Sequence, residues 1–439
     1  MSKTNRRDFM QQTGVGIAGV AAVSCTASAR AAGANGRLRV GLIGCGGRGR
    51  YDAGVFASRN DVEIAYVADP HKHRLAAAAR EFSTAEPTDD FRRILDDKTI
   101  DAVINATPVH WHAPATILAC DAGKHVYVEK PCSHNLHEGR LMIEAARRNK
   151  CVVQHGTQVR STSTIMGGIR LLREGIIGDV LIAKAWNIQR RPGSGRGKLG
   201  DPPVELDYDM WLGPAPTVPY HDTIFSGWNW LRHFGTGEIG NDGVHDIDYA
   251  RWGLGVETHP TFITGVGGRY VYDNGAEFPD TQQINFEYPA AGKLDKKRVL
   301  IYEERLWSTN YPHNCDSGVE YYGTKGQMFL SRRGKIQVLL DRNQSKSVDV
   351  PLQVQDTGDH VADFIDAIRN DRKPNADIET AHLTTSLCHL GNIAIRMGRS
   401  LRFDPQNEKF LDDEEANGLL ERTYRDGHWA VPNSTAALP

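Results

Sequence analysis

The stretch Val40-Gly41-Leu42-Ile43-Gly44-Cys45-Gly46-Gly47-Arg48-Gly49 decides how the chain is read. An apolar run feeds straight into glycines at 44, 46 and 49, the pattern of a strand that turns sharply into a helix. Gly44 permits the tight turn, Gly46 leaves room for phosphates, and Gly49 lets the helix pack against its own strand. Gly47 and Arg48 open that helix, where backbone amides point at negative charge. The pattern by itself also fits an ordinary tight turn, so the flanking sequence has to decide.

Val62 to Ala68 is strand-like and ends on Asp69, where a carboxylate can accept hydrogen bonds from an adenosine ribose. A carboxylate there repels a 2′-phosphate and favours NAD over NADP, while the nearby Lys72 and Arg74 pull the other way. Asp69 also suits a cap on a helix that begins near His71. Strand and helix then alternate: Ile100–Ala106 as a buried strand, Ala113–Asp121 as a helix, His125–Val128 as a strand and Asn135–Asn149 as a helix. This predicts a parallel, doubly wound sheet, in which ligands lie beyond the carboxyl ends of the strands. Those ends carry Thr107 and Pro108, with His112 close behind, and Glu129-Lys130-Pro131. A lysine at that mouth can hydrogen-bond a substrate hydroxyl and favour its alkoxide-like form; alternatively Lys130 simply pairs with Glu129.

With 439 residues the chain suits two domains plus extensions, and a formal charge of −2 gives no electrostatic reason to expect nucleic acid as a partner. Seven cysteines show no CxxC pair and no clustered His/Cys spacing, so no metal centre is expected. Residues 1–32 read as a separate object. Arg6-Arg7 precedes an apolar, glycine- and alanine-rich run from Gly14 to Val23, with small residues at Ala27, Ala29 and Ala31 for cleavage. This resembles a twin-arginine export signal and implies a periplasmic location, the export machinery as a partner and no stable membrane insertion. Lipid attachment at Cys25 is a minor alternative.

Past Gln154 the pattern changes. Thr162–Ile177 reads as a helix, Val180–Gln189 as a strand, and Arg190–Pro219 as a long Gly-, Pro- and Arg-rich loop. The segment from Phe225 to Trp252 concentrates Trp228, Trp230, Arg232, Asn241, Asp242 and His245. Tryptophans among polar groups suit stacking on a sugar face, so Trp228, Trp230, Arg232 and Asn241 are candidate substrate contacts. His245, on a helix that continues through Trp252, is a candidate general acid or base. Six strand-like runs between Phe262 and Leu340 predict a largely antiparallel sheet, followed by amphipathic helices over Asp359–Arg369 and Ile378–Met397.

The chain from Leu38 to about Asp404 resembles the Gfo/Idh/MocA family of glucose-fructose oxidoreductases and inositol dehydrogenases. Gly44-Cys45-Gly46-Gly47-Arg48-Gly49, Thr107-Pro108 with His112, Glu129-Lys130-Pro131, Gly156-Thr157-Gln158, and Gly235-Thr236-Gly237 leading to His245 carry the likeness. It implies a Rossmann domain over residues 38–155 and an α+β domain over 156–404, whose large, mostly antiparallel open sheet floors the substrate site and supports a homo-oligomer, dimer or tetramer. Residues 405–439 read as a C-terminal extension. The resemblance implies NAD held by Gly44, Gly46, Gly47, Arg48, Gly49, Asp69, Arg74, Thr107, Pro108, His112, Glu129, Lys130 and Gln158. It also implies that Lys130 assists the substrate hydroxyl and His245 exchanges its proton. One position departs from the family: an aspartate usually stands four residues before that histidine, and here Asn241 does, with Asp242 one later. Asparagine cannot accept a proton, so Asp242 is the candidate replacement.

The expected activity is NAD(P)-dependent oxidation of a secondary hydroxyl on a sugar, sugar derivative or cyclitol, with a cofactor tightly retained after export. Two alternatives stand beside it. One is a glycoside hydrolase working by transient oxidation and elimination, for which Tyr311, His313 or His233 is a candidate extra base; the other is a non-catalytic sugar-binding protein.

Overall fold

The computed structural model describes residues 36–193, 195–291 and 295–432; the export signal read in residues 1–32 lies outside the described residues. Six strands, β1 (Leu38–Ile43), β2 (Val62–Ala68), β3 (Glu86–Thr88), β4 (Ala102–Asn105), β5 (His125–Val128) and β6 (Val153–His155), form one sheet in the order β3-β2-β1-β4-β5-β6. Every pairing in it is parallel. β4 is buried at all four residues and β1 at five of six, which is why both read as unbroken apolar runs rather than alternating ones.

The helices α1 (Gly47–Ala57), α2 (Lys72–Glu81), α3 (Val109–Asp121) and α4 (Leu136–Arg148) cross between these strands. α4 starts where Asn135 marks its cap: Asn135 Oδ1 accepts from the Glu138 amide at 2.9 Å, and Glu138 Oε2 accepts from the His134 amide at 3.2 Å. α3 begins four residues before the Ala113 expected from the pattern, with extended Pro108 as its N-cap. Val109 to His112 are helical and buried because this helix is wedged between the sheet and the rest of the molecule.

The second unit is built on ten strands: β7 (Val180–Asn187), β8 (Phe262–Gly268), β9 (Thr281–Ala291), β10 (Lys296–Arg305), β11 (Ser317–Gly323), β12 (Gly326–Ser331), β13 (Lys335–Leu340), β14 (Gln344–Lys346), β15 (Leu401–Asp404) and β16 (Lys409–Phe410). Their order is β14-β13-β12-β11-β7-β10-β9-β8-β15-β16. β7 and β10 run parallel, and the other pairs are antiparallel. Helices α5 (Ser163–Arg173), α6 (Val244–Leu254) and α8 (Ile378–Met397) supply the covered face. There Val244, Ile247, Tyr249 and Leu387 meet Phe286, Tyr288, Tyr302 and Tyr321 in one core cluster.

The two units are tied by segments distant in sequence. Helix α7 (Gly358–Arg369) packs on the first sheet, where the Phe364 ring lies 6.0 Å from both Phe56 and Tyr127. The chain after Asp404 begins with a strand of the second sheet and then returns to the first domain. Trp429 sits 5.8 Å from Trp111 and 5.9 Å from Phe91, with the Arg92 guanidinium 4.6 Å above it. The buried Arg422 pairs with Glu138 at 2.7 Å. Among the described residues no helix is long and apolar enough to cross a membrane.

Candidate active site

Between β1 and α1 the glycine loop makes two close approaches. Gly44 has φ +94°, and a Cβ there would stand 2.6 Å from the Ala106 carbonyl oxygen; a Cβ at Gly49 would fall on the Gly44 carbonyl. Gly46 and Gly47 have open space instead. Among the described residues no side chain caps α1, so the amides of its first turn have no capping partner. They open on a cavity of about 460 Å³ lined by the glycine loop, Asp69, Arg74, Thr107, Pro108 and Trp228. Asp69 accepts from the Cys45 amide through Oδ2 and from the His71 amide through Oδ1, each at 2.8 Å. It thus pins the start of α2 and lines the cavity. Burial pushes its carboxyl upward, against those two amide bonds. Arg74 lies 4.8 Å over the Phe225 ring at the same end.

Arg48 spans the mouth of the sheet. Its guanidinium meets Glu129 Oε1 at 2.8 Å and Asp52 Oδ1 at 3.0 Å, both carboxylates being buried. Gln158 stands behind this group, donating to the Tyr127 hydroxyl at 3.0 Å and to Glu129 Oε1 at 3.4 Å. His112 places Nε2 2.8 Å from the Thr107 carbonyl and Nδ1 2.6 Å from the Pro131 carbonyl, tying two strand-end loops together. Glu129, Gln158 and His112 therefore brace the loops behind the cavity wall, whereas the glycines, Arg48, Asp69, Arg74, Thr107 and Pro108 form the wall itself.

Because Arg48 takes Glu129, the Lys130 ammonium is free to point elsewhere. It donates to the Asn241 main-chain carbonyl and, at 3.2 Å, to Asn241 Oδ1. Burial lowers its proton affinity, opposed by Glu129 and Asp242. Asn241 sits in a π-helical turn, Ile239–Gly243, that runs into α6. Its side chain meets Lys130 and Glu238, whereas that of the next residue, Asp242, leaves the turn in another direction. Asp242 Oδ2 accordingly meets the ten-stranded sheet: Asn187 Nδ2 at 3.0 Å, the Gln189 amide, and the guanidiniums of Arg332 at 2.8 Å and Arg191 at 3.4 Å. Those cations hold its carboxyl well below the usual range against its burial. His245 is 4 % exposed and, among the described residues, its Nδ1 has no hydrogen-bond partner. Burial, then Arg332, push it well below the ordinary histidine range, so it is a neutral imidazole able to take a proton.

This geometry has counterparts among known proteins. A model described as an oxidoreductase family, NAD-binding Rossmann fold, matches residues 38–157, and the model of that family's C-terminal alpha/beta domain matches residues 186–431. The chain belongs to the Gfo/Idh/MocA family. It is 26% identical over 352 residues to scyllo-inositol 2-dehydrogenase (NAD(+)) of Bacillus subtilis strain 168, covering 77% of this chain and 88% of the relative. It is 28% identical over 335 residues to levoglucosan dehydrogenase of Pseudarthrobacter phenanthrenivorans, covering 70% and 77%. A glycosyl hydrolase family 109 protein of Shewanella putrefaciens matches at 28% over 213 residues, 42% of this chain and 46% of that one. In fold, levoglucosan dehydrogenase in complex with NADH and levoglucosan superposes with a TM-score of 0.65 at 21% identity, over 83% of this chain and 99% of that chain.

Within this Gfo/Idh/MocA site, the residues read as sugar contacts are not brought together. Asn241 is at the centre. Trp228 lines the cofactor cavity instead, and Trp230 is buried against Ala276 and Leu306. The Arg232 amide and guanidinium both bond Glu277, at 2.6 and 3.1 Å, on a separate groove that His233 shares. His313 pairs with Glu320 at 2.8 Å and stacks 4.1 Å from Phe329. Asp242 Oδ2 is taken up by Asn187, Gln189 and Arg332, and from there its charge acts on His245. Among the described residues, His259, His382 and Glu408 could together hold a metal ion, but Arg140 already donates to that same carboxylate.

Sequence reasoning missed Arg332 and Glu238. Arg332 follows β12, about ninety residues beyond Asp242, and no local pattern links the two. Its buried guanidinium faces Asp242 at 2.8 Å and Asp246 at 3.5 Å. Replacing it, as in Arg332→Leu, leaves the buried Asp246 without its cation and Asp242 with Arg191 as its remaining one, and is expected to cost about 3–5 kcal/mol, read by chemical denaturation. A loss under about 1 kcal/mol would mean that water already solvates the pair.

Proposed function

We propose that the protein is an NAD-dependent dehydrogenase that oxidises a secondary hydroxyl of a sugar, sugar derivative or cyclitol. The convergence of the Lys130 ammonium, Asn241 and the neutral His245 at the strand ends of a Rossmann sheet carries this reading. The cofactor fits the residues present: uncapped amides at the start of α1, positions 44 and 49 that admit no Cβ, and Asp69 with spare acceptor capacity beside them. When bound, the nicotinamide accepts hydride from the carbinol carbon. Lys130 binds the substrate oxygen and stabilises the negative charge it gains, held in place by two oxygens of Asn241. His245 takes the hydroxyl proton, its lowered proton affinity keeping it unprotonated at neutral pH. Asp242, Arg332 and Arg191 hold the catalytic turn against the sheet. The dehydrogenase names of the relatives, one acting on an inositol and one on levoglucosan, support the substrate class. Asp69 supports NAD over NADP; the exposed Ile182 and Val266 on the open sheet support assembly with further copies.

The twin-arginine pattern supports export with the cofactor already enclosed, and a periplasmic enzyme with no free NAD pool must keep it. Denaturing the purified protein and assaying the supernatant is expected to release about one NAD(H) per chain. Protein that neither carries nor binds NAD(H) would rule out the dehydrogenase. A panel of free sugars, cyclitols and aryl glycosides then reads the chemistry: net NADH formation or paired oxidation and reduction supports the proposal, and glycoside cleavage without net NADH assigns it to the hydrolase class instead.

A further inference from the structure

An asparagine amide has a donor end and an acceptor end, and the structure fixes which of them meets the reaction centre. Asn241 Nδ2 donates to Glu238 Oε2 at 2.9 Å, which leaves Oδ1 turned toward the Lys130 ammonium. Glu238 stands immediately before the π turn and is 1% exposed. Burying a carboxylate there is costly unless partners hold it. Arg191, from the loop after β7, meets its Oε1 at 3.0 Å, and Asn241 takes Oε2. Behind it on β10 lies a second buried carboxyl, Glu304, bonded by the Tyr302 hydroxyl at 2.9 Å and by Gln282 at 3.1 Å.

We propose that Glu238 is a positioning residue for the dehydrogenase: its carboxylate orients the Asn241 amide so that Oδ1 holds the Lys130 ammonium toward the substrate oxygen, and its negative charge sets that ammonium's proton affinity. The role assigned to Lys130 above is its premise. Without an acceptor at 238 the amide is free to rotate, and its Nδ2 would then face the ammonium donor to donor. The charged groups around Glu238 are Arg191, Asp242, Lys130 and Glu304, with the Tyr302 hydroxyl beside the last. Burial, moderated by Arg191, pushes Glu238 up to about 7, and burial with Glu238 itself pushes Glu304 up to about 8. At neutral pH the negative charge of this pair therefore sits mainly on Glu238. Above about 7 the carboxylate accepts from Nδ2. Below that pH it gains an O–H that competes for Oδ1, and the alignment is lost.

The test uses the full protein, and its first measurement needs no substrate. Lys130 is labelled with an amine-reactive acylating reagent across a pH series, and its peptide is quantified by mass spectrometry. Glu238→Gln keeps size and an acceptor oxygen but removes the charge, so the Lys130 labelling midpoint is expected to fall by about one pH unit. Glu238→Asp is expected to leave the midpoint near that of the wild type while lowering kcat about tenfold through misalignment. In turnover assays the acidic limb of the kcat profile near pH 7 should vanish in Glu238→Gln, with NADH affinity unchanged. An unmoved labelling midpoint together with an unmoved acidic limb overturns the proposal. Should Glu238→Gln not fold, the wild-type labelling curve decides: a second inflection near pH 7 supports the coupling, and a single-proton curve refutes it. A moved midpoint in a protein that oxidises no sugar or cyclitol would sink the substrate reading and leave this one standing.

Discussion

Replacing Lys130 with methionine is expected to lower kcat by about 10³-fold while leaving NADH affinity within about threefold of the wild type. Methionine keeps length and apolar bulk but brings no proton and no charge to the developing alkoxide. The cofactor does not depend on this ammonium, because the cavity at the glycine loop and Asp69 is walled without it. Glu129 does not depend on it either: its carboxylate is held by Arg48 at 2.8 Å, so the substitution leaves that buried charge paired. What loses a partner is the pair of Asn241 oxygens, one of them 3.2 Å from Nζ, which predicts a stability loss of about 1–3 kcal/mol. Steady-state kinetics, NADH fluorescence titration and thermal melting separate the three effects. Turnover within tenfold of the wild type would show that the lysine is a bystander.

The second large effect is a reversal of sign along one helix. Glycine to alanine inside a helix ordinarily stabilises by about 0.5–1 kcal/mol, because alanine has less backbone freedom to lose. At Gly54, midway along α1, a Cβ meets nothing within 4 Å, and Gly54→Ala should follow that rule. At Gly49, one turn into the same helix, a Cβ would land on the Gly44 carbonyl and meet the Ala106 side chain at 3.2 Å. Gly49→Ala must push α1 away from β1, spoiling the amide cradle at the helix start. We expect a loss of NADH affinity of at least about 100-fold and a lowered melting temperature. Equal behaviour of the two variants in calorimetry and NADH titration would mean that the close approach of helix to strand has no energetic content.

Much of this molecule was legible in advance because its signals are local. The run from Val40 to Gly49 names its own strand, turn and helix, since the glycine positions are dictated by contacts within a few residues of the chain and with the neighbouring strand. Helix α8 was read at its observed bounds, from Asp377 as cap to Gly398 in the left-handed conformation, because caps act on the adjacent turn. The strand-like runs after Thr261 take their places in an antiparallel sheet because turn residues separate them. Where the local signal misled, a distant surface had overridden it. The helix was expected to begin only at Ala113, yet Val109 to His112 form its buried first turn, covered by residues more than a hundred positions away, such as Trp211, whose carbonyl lies 2.9 Å from His110 Nε2.

The sequence by itself determined the fold class, a Rossmann sheet followed by a mostly antiparallel one, through spacing and periodicity along the chain, and it named Lys130 and His245 as candidates through their positions and the resemblance to the Gfo/Idh/MocA family. Only the tertiary structure decided the partners of those groups. That Arg48 takes Glu129 and frees Lys130, that Asn241 meets the lysine and Asp242 the sheet, and that Arg332 and Glu238 brace the result are facts of side-chain direction through space. Neighbouring side chains leave a helical turn in different directions, and partners supplied by strands ninety residues away leave no periodic trace in the chain.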